Sequence, residues 1–139
     1  MRRIYFLCIA LISISVVTLS CGKGASGGGS STTEATLAVT LNPAAGSNLP
    51  AQALGSGLPL TVTVTSTMPS NGVRIDVAAT NQTSNVTFFS TTVSNANAAN
   101  NFTITNIPTG SVSCKCTVTV TSLSSSSNVW TGSFIFAAK

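Results

Sequence analysis

Leu58-Pro59-Leu60-Thr61-Val62-Thr63-Val64-Thr65-Ser66-Thr67 is the stretch whose reading decides the fold. Leucine or valine stands at every second position as far as Val64, with proline or threonine between. A period of two places Leu58, Leu60, Val62 and Val64 on one face of a strand and Thr61, Thr63 and Thr65 on the other. The same alternation recurs along the chain, broken by clusters of Gly, Pro, Asn and Ser. That is the pattern of half-buried strands in an all-β domain.

Upstream, residues 36–41 repeat it, with Leu37, Val39 and Leu41 on one face. Residues 42–57, carrying Pro43, Gly46, Pro50 and Gly55, read as a long loop. Downstream, residues 68–72 read as a turn whose Asn71-Gly72 supplies the positive φ of a tight hairpin. Residues 73–80 turn Val73, Ile75 and Val77 inward and Arg74 and Asp76 outward, where a solvated ion pair worth under about 1 kcal/mol is expected. Residues 81–85 turn the chain into a strand over 86–93. Its neighbours Phe88 and Phe89 must point to opposite faces, so one is exposed as a contact surface or sits at a bulge. A polar turn covers 94–100, and Phe102 and Ile104 mark a strand that ends at Ile107-Pro108-Thr109-Gly110. Residues 113–122 alternate again, with Cys114, Cys116, Val118 and Val120 on one face. A serine-rich hairpin loop over 123–128 leads to a last strand, 129–137, with Trp130, Phe134 and Phe136 inward around Gly132.

Seven strands within about 100 residues predict an antiparallel two-sheet sandwich of immunoglobulin or fibronectin type, with a closed barrel as the alternative. The expected core is Val62, Val64, Ile75, Val77, Phe102, Ile104, Val118, Val120, Trp130 and Phe134. The antibody-type pair of inter-sheet cysteines is absent, since the second and third strands hold none.

Between Thr36 and Lys139 the only acidic side chain is Asp76 and the only basic ones are Arg74, Lys115 and Lys139, and the chain has no histidine. Nucleic-acid binding needs a patch of several Lys or Arg and is not expected. General acid–base catalysis needs a group titrating near neutral pH or a pair of carboxylates. A serine without a base to activate it is only surface. No enzyme and no cofactor is expected.

The N-terminus has a different character. Met1, Arg2 and Arg3 precede an apolar run from Ile4 to Leu19, then Ser20 and Cys21. The run is short for a membrane span, which needs about 20 apolar residues. A positive start, a short apolar stretch and a small residue before the cut describe a secretory signal. Val17-Thr18-Leu19-Ser20-Cys21 resembles the lipobox of bacterial lipoproteins at Ser20 and Cys21. It departs from it at Thr18 and Leu19, where the usual pattern has leucine and then a small or β-branched residue. The resemblance implies cleavage before Cys21 and acylation of its thiol; plain secretion with Cys21 unmodified is the alternative. Acyl chains contribute about 0.8 kcal/mol per buried methylene, so two or three hold a small domain on a bilayer. Residues 22–33, almost all Gly, Ser and Thr, should form a flexible spacer with a reach of roughly 20 Å. Gly22 stands where enteric inner-membrane lipoproteins carry aspartate, which points to the outer membrane or cell surface. The organisation expected is a signal peptide over 1–20, a lipidated cysteine and linker over 21–35, and the β domain over 36–139.

Cys8 would leave with the signal, so Cys114 and Cys116 remain, in a compartment where disulfides form. Residues i and i+2 on a regular strand lie about 6.6 Å apart. Their parallel Cβ atoms are then beyond the roughly 3.8 Å a disulfide prefers, so a bridge needs a kink or bulge. The pair reads as two small buried apolar residues, as a strained local bridge, or as a soft-metal site suited to Cu(I). Asn81, Asn85 and Asn101 each begin an Asn-X-Thr sequon, read here as turn-friendly asparagine beside strand-friendly threonine.

The signal, the Leu-Thr-Val-Thr-Val-Thr-Ser strand over 60–66 and the closing segment Thr121-Ser122-Leu123 through Asn128-Val129-Trp130-Thr131-Gly132-Ser133 together resemble small uncharacterised Ig-like lipoproteins of Bacteroidota. That resemblance covers most of the mature chain, implies an envelope location, and brings no catalytic or binding residues to transfer. The function expected is a lipid-anchored envelope protein whose domain is a non-catalytic binding or structural module. Its partners would be the membrane, through Cys21, and a surface protein or glycan met by loops 42–57 and 123–128. A fimbria-like assembly subunit exchanging the strand over 35–41 is the alternative.

Overall fold

The computed structural model describes residues 33–50, 57–95 and 97–137. The expected signal peptide, Cys21 and nearly all of the expected linker lie outside them. The described chain is all-β, with no helix. Its strands are β1 (Val39–Asn42), β2 (Leu58–Val64), β3 (Val73–Asn81), β4 (Thr87–Asn95), β5 (Ala99–Ile104), β6 (Ser113–Ser122) and β7 (Val129–Ala137). They form two antiparallel sheets, a three-stranded one in the order β1-β2-β5 and a four-stranded one in the order β4-β3-β6-β7.

The alternation in the sequence becomes alternation in burial. Leu58, Leu60, Val62 and Val64 are buried along β2, and Cys114, Cys116, Val118, Val120 and Ser122 along β6. Pro59 fits inside β2 because it pairs with Thr103 at a position that sends no N–H toward β5. The inward residues of both sheets belong to one buried cluster, with Leu41, Leu60, Val62 and Ile104 from one and Ile75, Val118, Phe134 and Phe136 from the other. Of the expected core, Phe102 and Trp130 are only half-buried and pack at its margin.

Several expectations need correction. Residues 68–72 are not a hairpin: β2 and β3 lie in different sheets, and this turn carries the chain across, with Gly72 at φ 81° donating its N–H to the Pro69 carbonyl. The loop after β1 is not free either. The Gly46 and Leu49 amides donate to the Ser133 and Ile135 carbonyls, and Ile135 donates back to Ser47, so this segment runs parallel to β7 along its edge. The polar turn before β5 shrinks to residues 96–98, since Val73 pairs with Asn95 and Thr63 with Ala99. Phe88 and Phe89 resolve as the bulge alternative. Register shifts there, with Ala79 opposite Phe89 and Thr80 opposite Thr87, so Phe88 is the extra residue. Both rings are half-buried against the core, Phe88 edge-on to Phe136 at 6.4 Å. Neither ring is fully exposed.

Gly132 shows a close approach. It faces inward on β7, and a Cβ there would overlap the indole ring of Trp130, which folds across it. Gly132→Ala should push the ring outward at a cost of about 1–3 kcal/mol. Trp130 is the only tryptophan in the chain, so a red-shifted emission maximum reads the displacement directly.

Candidate functional site

Strand direction sorts the connections into two ends. Successive strands run alternately up and down, so the chain's first described residues, the 65–72 connection, residues 97–98 and loop 123–128 lie at one end. Residues 43–50 and Gly57, turn 82–86 and the 105–112 connection lie at the other. The two loops expected to carry recognition are therefore at opposite ends.

Loop 123–128 is tied down. The Ser122 hydroxyl accepts from the amides of Ser124 and Ser125. Ser124 Oγ accepts from the Asn71 amide and lies 3.1 Å from Ser70 Oγ, and the Leu123 amide donates to the Gly72 carbonyl. Asn128 reaches back across the chain. Its Oδ1 accepts from the Leu37 amide at 3.0 Å, and its Nδ2 donates to the Ala35 carbonyl at 2.9 Å and to Glu34 Oε1. An amide side chain thus takes the place of a neighbouring strand's peptide group. Ser122 Oγ donates to the other Glu34 oxygen at 3.0 Å. Glu34 and Ala35, read from the sequence as the last of the linker, are clamped onto the β6–β7 hairpin.

An open groove of about 580 Å³ lies beside this clamp, lined by Glu34, Met68, Pro69, Ser70 and Ser124 among others. Its one carboxylate already holds two donors, and the rest of the lining is hydroxyl and apolar. The other charges sit elsewhere. Arg74 Nε donates to Asp76 Oδ2 at 2.9 Å on the open face of the four-stranded sheet, as expected, and Thr92 Oγ1 donates to Asp76 Oδ1 at 2.7 Å. Half-exposed, this pair contributes little. Among the described residues no three His, Cys, Asp or Glu side chains gather into a metal-binding group.

Cys114 and Cys116 are unbridged and fully buried. β6 pairs with β3 and β7 without a register shift along its length, so the bulge a local bridge requires is missing. The thiols pack opposite Asn81, Ala79, Phe134 and Phe136 as small core residues. Burial pushes both up from the ordinary 9.0, Cys116 to about 12. A thiol is nucleophilic and metal-binding as the thiolate, so this setting disfavours both reactivity and Cu(I). The linkage has a definite sign. Unfolded cysteine ionises above pH 9 while the folded thiols stay protonated, so their contribution is full below that pH and is lost as pH rises toward about 12. Native protein should leave a thiol reagent unreacted at pH 8 and react fully in denaturant. A Cys114→Ala, Cys116→Ala variant should lose less stability between pH 9 and 11 than the native chain.

The sequon asparagines have separate structural uses. Asn81 Oδ1 accepts from the Thr83 and Ser84 amides, and Asn85 holds a φ of 57°. Asn101 is a strand residue, not a turn residue, and accepts from Thr61 Oγ1. No protein-family model, curated protein or solved structure matches the chain.

Proposed function

We propose that the chain is a cell-envelope lipoprotein held to a membrane through acylated Cys21, its β domain serving as a non-catalytic binding or structural module. The two sheets are read as an immunoglobulin- or fibronectin-like sandwich. The order β1-β2-β5 and β4-β3-β6-β7 supports that reading: relabelled alphabetically it is A-B-E against C′-C-F-G, the variable-type arrangement with D and C″ missing.

The observation that carries the function is the clamp at Asn128. A spacer that ends by being fastened to one end of a rigid domain suits a tether, because pull on the chain is taken up at Glu34 and Ala35 before it reaches β1. On this reading loop 123–128 faces the membrane, and the presented end carries 43–50, 82–86 and 105–112. Among the described residues neither end offers a charged patch, which suits an uncharged partner such as a neutral glycan or a polar protein surface. Full-length protein expressed in a Gram-negative host should sediment with membranes, and Cys21→Ala should move it to the soluble exported fraction. A native chain found soluble would leave a secreted domain.

A further inference from the structure

The two sides of the domain are finished differently. On one, the chain leaves β1 and lays Gly46 and Leu49 along β7, so those edges are joined. On the other, β4 and β5 are linked by residues 96–98 alone, which keeps their edges adjacent, and among the described residues neither edge has a strand beyond it. Exposed edges are normally blunted by charge, proline or bulges. Residues 77–114 carry no charged side chain, residues 87–104 no proline, and the bulge at Phe88 leaves Phe89 onward regular. On β5, the Val64 amide donates to the Ala98 carbonyl, so alternate residues from Ala98 address β2. The N–H and C=O groups of Ala99, Asn101 and Thr103 therefore face outward.

The same side is short of cover. Val93 lies opposite Ile75 on the inward face of its sheet, yet Ile75 is 0% exposed and Val93 37%. Val86, just ahead of β4, is 60% exposed. Phe88, Phe89 and Phe102 are only half-buried along this margin. Asn100, the polar residue facing inward on β5, already has its amide on the Asn97 carbonyl.

We propose that this open side pairs with the same side of a second copy. The proposal rests on the sandwich and anchor readings above. A half-turn about an axis parallel to the strands swaps the two sheets and keeps every strand's direction. β5 then meets the partner's β4 and β4 meets the partner's β5. Because β4 and β5 run oppositely, both contacts are antiparallel, and two continuous seven-stranded sheets result. Both chains enter the dimer at the same end, as two anchors in one membrane require. Antiparallel pairing of β5 with β5, or β4 with β4, would send them to opposite ends. Charge does not oppose association, since the described residues hold two acids, Glu34 and Asp76, and two bases, Arg74 and Lys115.

The test is sedimentation equilibrium of full-length protein in a density-matched detergent, with hydrogen exchange on the same samples. Native protein should hold two chains per particle, with the Ala99, Asn101 and Thr103 amides protected. Val93→Lys keeps its ammonium in water as a monomer but would bury it in the dimer, so it should halve the particle mass and expose those amides. Asn101→Pro removes an outward N–H that the monomer does not use and should act alike if Val93→Lys fails to fold. Thr40→Lys, on the joined side, should stay dimeric. One chain per particle for native protein overturns the proposal, as does a dimer that survives both edge variants with those amides unprotected. A monomer carrying acyl mass defeats the pairing alone, and an unacylated dimer defeats the anchor alone.

Discussion

Phe134→Ala should cost the folded domain about 3–5 kcal/mol, the range for deleting a fully buried phenylalanine. Phe134 is 1% exposed, pairs with Cys116 across the β6–β7 ladder and lies with its ring centroid 6.0 Å from that of Phe136, the two planes tilted by 42°. It lies in the cluster that both sheets share, so the cavity has no free surface to collapse from. A domain of this size holds about 5–15 kcal/mol in all, so the loss takes a large share of its stability. In urea the midpoint should fall with the slope unchanged. The control is Phe102→Ala on the β5 margin, half-buried, where the loss should be clearly smaller. Equal losses at the two sites, or a loss under about 1 kcal/mol at Phe134, would mean that the shared core is misplaced.

Asn128→Ala should cost about 2–3 kcal/mol, summing a neutral hydrogen bond at each of two backbone groups with one to a carboxylate, discounted for partial exposure. The local effect should exceed the global one. Without Asn128 the Leu37 amide and Ala35 carbonyl lose their partner, and Glu34 keeps only Ser122. The segment ahead of β1 should become protease-sensitive while β6 and β7 keep their amide protection. Asn128→Asp discriminates further, because it sets a carboxylate against Glu34 and removes the donor to Ala35. It should destabilise more than alanine at neutral pH, and the excess should shrink in acid as the new carboxylate takes a proton. Unchanged proteolysis at residues 33–38 would show the clamp to be incidental.

Strands were legible where one face is uniformly apolar. β6 and β7 begin and end where the alternation does, because the inward positions are Cys, Val, Phe and the Trp130–Gly132 pair, closed at the end of β6 by the buried Ser122. The turn expected over 94–100 hides the start of β5, because Ala99 and Asn100 carry no apolar period; they join the sheet by pairing with Thr63 and Val62. Residues 46–49 gave no strand signal since they use backbone groups alone on an edge. The clamp was hidden for another reason. Asn128 sits among serines and looks like any turn asparagine, and its partners are more than 90 positions away. The one hint was Glu34, one of the chain's two acidic residues, standing at the end of a spacer otherwise nearly free of charge. The Phe88-Phe89 pair did signal an irregularity, because two large apolar neighbours cannot both face inward from a regular strand.

The intact mass of the mature protein extracted from membranes, beside Cys21→Ala, tests the anchored reading most directly. The account predicts a chain beginning at Cys21 with an acyl-sized increment, absent from the variant, and the full hydrogen count of two free thiols at Cys114 and Cys116. A chain of unmodified mass, or one that begins elsewhere and keeps its mass in the variant, would contradict it.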